Sequence, residues 1–545
     1  NKKKSLDTMP AIVTDQFRIL NANNFVESVE NTSNSYYVFV GLSNPGGPPD
    51  NALVGFGRSE SWDTNTPAPI DSFSYRSHTQ DTMMYGKKVS SANIRRLIRR
   101  VDWVSGNQYE IYRDDYSVEN PSPLTSANRL YDANYYVLNS DFKVYVCIDN
   151  GSTGSNPKGN ASEHEPTFTD LEPSKAGDDG FIWKYLFTVS PSDIIKFDST
   201  EFITVPNDWL TSTDAQIRSV RENGDSSVNS NQIKHVYIEK AGEGYTEGIG
   251  QECDIVGDGT GAKARVDVQG GKITDVRVSA GGKGYSYGLV DLGNIDDINQ
   301  TAAQKAKLIP IIPPGLGHGS DIYTELGTDK VIVYARFDDT TKDFPTDTKF
   351  AQVGIVKNPT KEGTSEVYTE STFSSLQAVK FESVSGTPIV GEEITQLLKI
   401  NSNPNKGRIS TAYVASFDKD TKVLKYFRDR TLNFDRTTFD QTDNIGISTA
   451  GRIYQFETAS LASGDTPNPI DGKKSQFSGS ISRGFSGITT NIDGSRVINL
   501  GTRFTDGLSN SEINKGSGEV IYLDNRPEIV RNTRQKEDIK IILEF

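Results

Sequence analysis

The chain has 545 residues and a formal net charge of −14 at pH 7. This length exceeds the size at which one hydrophobic core usually stops growing, so we expect two or three domains. The acidic balance argues against a nucleic-acid-binding surface as the main role, because phosphate contacts need clustered cations.

Composition excludes several further classes of protein. With 25 Phe and 23 Tyr against 3 Met, the chain favours β-structure, where flat aromatic side chains pack on pleated surfaces. Two cysteines far apart in sequence, Cys147 and Cys253, exclude a disulfide framework and a thiolate metal cluster. No apolar run approaches the length of a membrane helix and no charged-then-apolar leader opens the chain, so we expect a soluble protein without an export signal or membrane insertion.

In the first half of the chain, a helix is followed by several strands. Thr14 is placed to cap a helix whose shared face holds Phe17, Leu20, Asn24 and Phe25. Strands are predicted at 35–40, 135–138, 142–148 and 181–189. A long polar connection, 150–180, separates the last two of these strands.

The segment SANIRRLIRRVDW carries the strongest local charge feature. Its apolar residues follow helical spacing: Ile94, Leu97, Ile98 and Val101. Another face carries four candidate interface residues: Arg95, Arg96, Arg99 and Arg100. In an acidic protein such a patch docks an acidic neighbour or another protomer through Arg forks, forms an internal salt-bridged face, or contacts lipid or nucleic acid. Trp62 and Trp103 are core anchors or interface hot spots.

An internal repeat begins near residue 232. VYIEKAGEGY, 236–245, recurs 40 residues later as VRVSAGGKGY, 276–285. Each copy is a short strand followed by Gly-x-Gly-Tyr, in which the glycines permit positive φ and the tyrosine can cover the turn. A hairpin is predicted around Gly270-Gly271. We interpret residues 225–295 as a small inserted all-β module.

Downstream of the repeat, a helical candidate at 299–308 precedes strands predicted at 331–337 and 352–356. Residues 412–417 and 422–427 flank Asp418-Lys419-Asp420-Thr421, which is a strong hairpin signal. A second insertion, 366–510, is therefore also expected to be rich in strands.

Near the end of the chain, SGEVIYLDNRPEIV predicts a strand, a sharp corner and a second strand. The alternation in 519–523 suits a strand covered on both faces. Asp524-Asn525-Arg526-Pro527 then breaks it, because Asp and Asn favour turns and Pro527 removes a donor. A last strand is predicted at 539–545. Arg526, in the predicted corner, completes the candidate interface residues.

Motifs that would carry chemistry are weak in this sequence. GDGTGAKA fits a dinucleotide fingerprint formally, but a strand follows it where the fingerprint needs a helix. Gly86-Lys87-Lys88 and Gly472-Lys473-Lys474-Ser475 lack the upstream glycine of a phosphate-binding loop. Four isolated histidines make no metal site: His78, His164, His235 and His318. Acidic pairs such as Asp178-Asp179 and Asp338-Asp339 read as solvated turns. We expect no catalytic, cofactor-binding or metal site.

Six blocks lie in one family's order along the chain: AIVTDQFR (11–18), GFGRSESW (55–62), RRVDW (99–103), DGFIWKYLFTVSP with EFITVP (179–206), DFPTDTKFAQVGIVKNP (343–359), which matches less closely, and the run 517–530. Together they resemble the baseplate wedge subunits, of the gene product eight type, of T-even-like contractile-tailed bacteriophages. The resemblance covers residues 1–220, 330–362 and 512–545.

This resemblance implies a mainly β fold, with a β-sandwich core, a few short helices and inserted small all-β modules. Residues 1–224 would form the N-terminal part of the core, 225–295 the Gly-rich repeat module, and 296–365 a return to the core. Residues 366–510 would be the second insertion, and 511–545 would supply the strands that complete the core.

The resemblance also implies a function. The chain would be a structural virion protein, a homodimer in the tail baseplate that contacts other wedge proteins, with no enzymatic activity, cofactor or nucleic-acid partner. It would be assembled in the host cytoplasm, and would hold the baseplate and let it rearrange on host attachment and sheath contraction. The Gly-x-Gly-Tyr repeats, exposed tyrosines and hairpin-rich insertions motivate an alternative, a carbohydrate- or receptor-binding virion protein. A third possibility is a polysaccharide-degrading enzyme.

Overall fold

The computed structural model describes residues 13–41, 66, 68–225, 231–295, 301, 304–338, 348–428, 454–458, 466–491, 497–531 and 535–545. Within these ranges, the side chains at 74, 78, 223–225, 488–491 and 497–502 are not described.

Short helices and many strands make up the described residues. The α-helices are α1 Asp15–Glu30, α2 Phe73–Thr82, α3 Pro191–Phe197, α4 Ala215–Asp225 and α5 Ile322–Leu326, with 3₁₀ turns at Ser91–Asn93 and Leu130–Asp132. The first strands are β1 Tyr36–Gly41, β2 Met83–Val89, β3 Ile94–Arg99, β4 Tyr136–Leu138, β5 Lys143–Asn150, β6 Ser174–Lys175, β7 Phe181–Thr188, β8 Phe202–Val205 and β9 Val236–Lys240. The next are β10 Gly248–Gly257, β11 Thr260–Gln269, β12 Lys272–Lys283, β13 Gly288–Val290, β14 Lys307–Pro310, β15 Lys330–Asp338, β16 Lys349–Lys357, β17 Thr372–Ser374, β18 Gln377–Ser385 and β19 Glu393–Leu397. The last are β20 Ile409–Asp418, β21 Val423–Phe427, β22 Ile470–Gly472, β23 Ser478–Ile481, β24 Gly487–Asn491, β25 Val497–Phe504, β26 Leu508–Ser509, β27 Glu519–Val530 and β28 Lys536–Glu544.

The mainly β fold class is confirmed: the chain forms several sheets and a small closed barrel with few short helices. The strands predicted in the first half, at 331–337 and at 352–356 are present with small shifts at their ends. No helix among the described residues is long and apolar enough to cross a membrane.

Helix α1 begins as predicted but buries a different face. The backbone N–H of Phe17 donates to Thr14 Oγ1 at 3.3 Å, which satisfies one of the free donors at the helix start. Phe17 and Leu20 are about half exposed, however. The buried residues follow a helical stripe of their own: Ile19, Ala22, Val26 and Val29. The prediction of the buried face was wrong because it relied on the larger apolar residues and not on this stripe of smaller ones.

The chain divides into two compact units. The first contains the described residues within Asn1–Val26, Arg95–Ile332 and Ile542–Phe545. The second contains those within Glu27–Ile94 and Val333–Ile541. Each unit therefore draws residues from both the N-terminal and the C-terminal regions of the chain. The five domain ranges drawn from the sequence stay a prediction.

Unit 1 is built around an antiparallel sheet of order β4-β5-β7-β6. β3 pairs with β8, and Ile98 and Ile203 of that pair belong to the same hydrophobic cluster as the sheet. Trp183 and Trp209 are fully buried there. The indole N–H of Trp209 donates to the carbonyl oxygen of Gly319 at 3.0 Å. Large aromatic side chains thus fill the core that composition predicted.

The repeat region forms a sub-structure of unit 1 with its own hydrophobic cluster, which runs from Ile233 to Leu308. Its main sheet has the order β12-β11-β10-β13, and β9 pairs with β14. The predicted hairpin is confirmed, since Gln269 pairs with Lys272 across Gly270-Gly271, and both glycines have positive φ. The helix predicted at 299–308 is contradicted at its end, where Lys307–Pro310 is a strand; 299–300 and 302–303 lie outside the described residues.

Unit 2 contains an antiparallel sheet of order β17-β2-β1-β16-β27. β16 lies between β1, from the N-terminal region, and β27, from the C-terminal region; Gly354 pairs with Phe39 on one side and Leu523 on the other. Strands nearly five hundred residues apart in sequence therefore share one sheet.

Unit 2 also contains a closed barrel. Its strands follow the order β21-β20-β19-β22-β23-β18, and β18 pairs back with β21, while β26 adds to β18. The predicted hairpin of β20 and β21 is confirmed, with Asp418 opposite Val423. Closure leaves these six strands without a free edge, which removes a template for aggregation.

The end of the chain differs from its prediction in two respects. β27 is one strand from Glu519 to Val530, and the expected corner is a bulge: Gln352 pairs with Asn525, whereas Phe350 pairs with Ile529. Asn525 is buried and accepts from Gln352 Nε2 at 2.9 Å, so the turn-forming residue is held by a side-chain partner. β27 also ends its sheet, and Ile521 is 39% exposed rather than covered on both faces.

Candidate protein interface

The basic segment is a strand and not a helix. Ile94–Arg99 forms β3, in which Arg96 pairs with Val205 and Ile98 with Ile203 of β8. The helix prediction was wrong because a six-residue run is too short to distinguish the period of a helix from that of a strand. Pairing with β8 stabilises the strand. Both faces of the strand are largely buried, so its arginines need partners inside the protein.

Arg96 is the most deeply buried cation of this segment, at 3% exposure. Its Nε donates to Asn23 Oδ1 at 2.6 Å, and its Nη1 donates to the carbonyl oxygen of Asn207 at 3.2 Å. The guanidinium lies 4.2 Å from the ring centroid of Tyr323, which adds a cation–π contact. Burial of this charge is thus compensated within unit 1.

The other three guanidinium groups are also bound within unit 1. Arg95 Nε donates to Asp193 at 2.9 Å. Arg99 Nη2 donates to the carbonyl oxygen of Ala133 at 2.8 Å. Arg100 Nε donates to Asp102 at 2.9 Å. These contacts match the alternative of an internal salt-bridged face; a role of these four residues in subunit contact stays a prediction.

The remaining candidate residues differ in their surroundings. Trp103 is partly buried, and its indole N–H donates to Ser162 Oγ at 3.0 Å, so it serves as an anchor in unit 1. Trp62 lies outside the described residues. Arg526 is exposed at the bulge of β27, where its Nε lies 2.6 Å from Asp524 Oδ2. Among the described candidate residues that form ion pairs, Arg526 has the most exposed side chain.

Arg526 lines a groove in unit 2 with a volume of about 450 Å³. The residues that line it belong to β16, β27 and β28, except Gln535, which directly precedes β28. Its lining residues are Phe350, Val353, Tyr522, Asp524, Arg526, Ile529, Gln535, Glu537, Asp538, Ile539, Lys540 and Ile541. The lining therefore combines apolar and charged side chains, and both kinds occur in protein interfaces. Sequence reasoning found Arg526 but missed Glu537 and Ile529; the apolar pair Ile529-Val530 after a proline was the available signal.

Charged side chains around the groove form ion pairs and hydrogen bonds with one another. Asp538 accepts two hydrogen bonds from Arg336, at 2.6 and 2.8 Å, and one from Tyr334 at 2.9 Å. The hydrogen bonds from Arg336 lower the pKa of Asp538 below its ordinary value. Beside it, Arg531 and Glu537 form an ion pair at 2.8 Å with both side chains at least nine-tenths buried.

The weak phosphate-binding motifs have structural roles. GDGTGAKA contains the turn between β10 and β11, as predicted, and continues into β11. In the run at Gly472, the amide groups of Lys474 and Ser475 donate to the Glu392 carboxylate at 3.0 and 2.9 Å. Burial opposes ionisation of Glu392, but hydrogen bonds from Ser475, Ile389 and Lys474 outweigh it and lower the pKa of Glu392. An internal carboxylate therefore occupies these donors.

The histidines were predicted to stand alone. In the structure His318 Nδ1 lies 2.7 Å from Glu325 Oε1 in the core of unit 1, and His235 Nδ1 lies 3.5 Å from Asp149 Oδ2. The side chain of His78 lies outside the described residues. No group of three or more His, Cys, Asp or Glu in the described part of the chain is arranged to hold a metal ion.

The repeat tyrosines are buried, which does not favour a carbohydrate-binding role. Tyr285 is 1% exposed and its hydroxyl donates to the carbonyl oxygen of Ile255 at 2.9 Å. Tyr245 is 5% exposed and its hydroxyl accepts from the amide of Ala306 at 2.7 Å. Both tyrosines cover their glycine turns, as predicted, and present no stacking surface to solvent.

Comparison with known proteins gives one informative similarity. The chain is 26% identical over 223 aligned residues to the baseplate wedge protein gp8 of Enterobacteria phage T4, and the match covers 36% of this chain. It spans 60% of the T4 protein, which is less than two thirds of that protein's length. No protein-family model matches the chain. The resemblance to the baseplate wedge subunits is confirmed at this level.

Proposed function

We propose that this chain is a structural subunit of a phage tail baseplate wedge and acts through protein–protein contacts, not through chemistry. The observation that carries the proposal is the similarity to the T4 baseplate wedge protein. The virion tail is accordingly the proposed location, with assembly in the host cytoplasm, and other baseplate proteins are the proposed partners.

Two features of the described residues support a role in protein–protein contacts: the internal bonding of the arginines near β3 and the groove beside Arg526. The guanidinium groups of Arg95, Arg96, Arg99 and Arg100 donate hydrogen bonds within unit 1. These internal contacts do not favour a role of the four arginines in binding nucleic acid. The groove beside Arg526 combines apolar and ionic side chains. Such mixtures are typical of surfaces that associate with other proteins.

The finer part of the proposal is a homodimer whose contacts differ little in free energy between two arrangements of the baseplate. Host attachment would then shift the population between the arrangements, and sheath contraction would follow. This finer proposal follows from the baseplate role that the similarity to a wedge protein suggests.

Antibody labelling of intact virions tests the proposal. Antibodies raised against the purified chain, viewed by negative-stain electron microscopy, are expected to bind at the baseplate end of the tail. Labelling confined to the capsid, or release of reducing sugar from host envelope polysaccharide by the purified chain, would overturn the structural role.

A further inference from the structure

The groove beside Arg526 contains a buried acceptor that no described residue satisfies. Glu537 lines the groove with a side chain that is 9% exposed, and its Oε2 accepts from Arg531 Nε at 2.8 Å. Its Oε1 is buried and accepts no hydrogen bond from the described residues. Leaving such a buried oxygen unpaired is unfavourable, so native proteins normally supply a donor.

Apolar side chains form much of the remaining lining. Phe350 and Ile541 are almost fully buried, whereas Ile529 is 37% exposed at the bulge. A volume of about 450 Å³ accommodates several side chains of an incoming segment. Burying Ile529 further would add a hydrophobic contribution to binding.

Both strands that bound the groove lie at the end of their sheets. β27 ends the five-stranded sheet, and β28 ends the sheet in which it neighbours β15. In the part of the chain that the structure describes, each strand therefore keeps one edge without a strand partner. Edges of this kind add an extended peptide through backbone hydrogen bonds, while side-chain pockets set specificity.

The charges around the groove select the chemistry of the occupant. Asp524 is paired with Arg526, and Asp538 with Arg336. The unsatisfied atom is a carboxylate oxygen, which repels phosphate and favours an N–H group or a cation. Lipid headgroup phosphates and nucleic acids are therefore poor occupants, and a polypeptide with a basic or amide donor is a good one.

We propose that this groove binds an extended polypeptide segment of another baseplate protein. Apolar side chains of that segment pack on Phe350 and Ile529, and a lysine, an arginine or a backbone N–H donates to Glu537 Oε1. This inference rests on the proposed function and names the kind of partner that the function requires.

An array of overlapping twelve-residue peptides, tiled across the other baseplate proteins of the same phage and across this chain, provides the test. The labelled full-length chain is expected to bind at least one peptide from another baseplate protein, and fluorescence anisotropy then gives its affinity. Ile529→Asp is expected to weaken that binding at least tenfold. The matched control is Ile521→Asp, since Ile521 lies on the same strand with similar exposure, 39% against 37%, but outside the groove.

Three outcomes would overturn the inference: no bound peptide, equal loss of binding in the two variants, or binding only to peptides of this chain, which would make the occupant a second copy. Co-purification of the full chain with the other wedge proteins separates this inference from the proposed function. If the wild type and Ile529→Asp co-purify equally well, the groove inference fails and the function stands. If the wild type co-purifies with none of them, the proposed function fails.

Discussion

At the scale of single residues, buried cations show how far unit 1 depends on internal polar contacts. Arg96 and Lys184 are 3% and 2% exposed, and each is compensated by oxygen atoms of its own unit. Glu110 is a buried anion in the same unit, and it accepts from the amides of Asn134 and Thr125 at 2.7 and 3.0 Å. Removal of one partner leaves the buried group with one hydrogen bond fewer in a region of low dielectric.

Arg96→Ala tests whether the basic strand is an internal or an intersubunit feature. The variant loses hydrogen bonds to Asn23 and Asn207 and the contact with Tyr323, so the free energy of unfolding is expected to fall by about 3 kcal/mol. Urea unfolding followed by tryptophan fluorescence measures it, because Trp183 and Trp209 report on unit 1. Arg526→Ala, at an exposed site, is the control and should change stability by less than about 0.5 kcal/mol. Unchanged stability of Arg96→Ala with loss of self-association would instead assign the strand to an interface.

Lys184 gives unit 1 a dependence on pH in the alkaline range. Burial lowers the pKa of Lys184 from 10.5 to about 8 in the folded protein. Between these values the unfolded chain binds more protons than the folded chain, so the contribution of Lys184 to stability rises with pH. Relative to Lys184→Met, the wild type is expected to gain up to about 1.4 kcal/mol per pH unit between pH 8 and 10, and nothing below pH 7. Urea unfolding of both proteins across pH 6–10 measures this difference; a flat or falling difference would refute the shifted pKa.

At the scale of elements, the five-stranded sheet of unit 2 depends on a close approach at its middle strand. Gly354 of β16 lies against Phe39 of β1 and Tyr522 of β27. A Cβ at this position would stand 2.4 Å from the Phe39 ring and 2.6 Å from the carbonyl oxygen of Tyr522. Any larger residue must therefore push one of the two neighbouring strands away.

Gly354→Ala is expected to destabilise unit 2 by about 1–3 kcal/mol, which is the usual cost of overpacking. Hydrogen exchange measured by mass spectrometry should show faster exchange in the peptide that covers 519–530. Gly484→Ala is the matched control, since a Cβ there meets no atom within 4 Å. Unchanged protection of 519–530 in Gly354→Ala would mean that β27 is not held by this contact.

How much of these elements could be predicted depended on how local their determinants are. The Thr14 cap and the hairpins around Gly270-Gly271 and Asp418 are set by neighbouring residues, and the sequence revealed them. The conformation of β3 and the bulge of β27 are set by pairing with β8 and β16, which lie far away in sequence. In the candidate site, Arg526 could be predicted because it lies in a turn-like sequence. The unsatisfied oxygen of Glu537 could not be predicted, because it depends on the burial of the Arg531–Glu537 ion pair in the folded protein.

At the scale of the whole molecule, each unit contains residues from both the N-terminal and the C-terminal regions of the chain. β1 and β27 share a sheet, and the rings of Phe25 and Phe545 lie 5.6 Å apart in unit 1. The strands of the closed barrel lie between β1 and β27 in sequence. Long chain segments between paired strands are tolerated because closing a longer loop costs little additional entropy.

We propose that this protein works by associating with baseplate subunits. Mass determination in solution, by light scattering or native mass spectrometry, tests this proposal when the purified chain is measured alone and after mixing with wedge proteins of the same phage. We expect a dimer for the chain alone and a larger complex of defined stoichiometry in the mixture. A chain that stays monomeric and joins none of these proteins at micromolar concentration would contradict it.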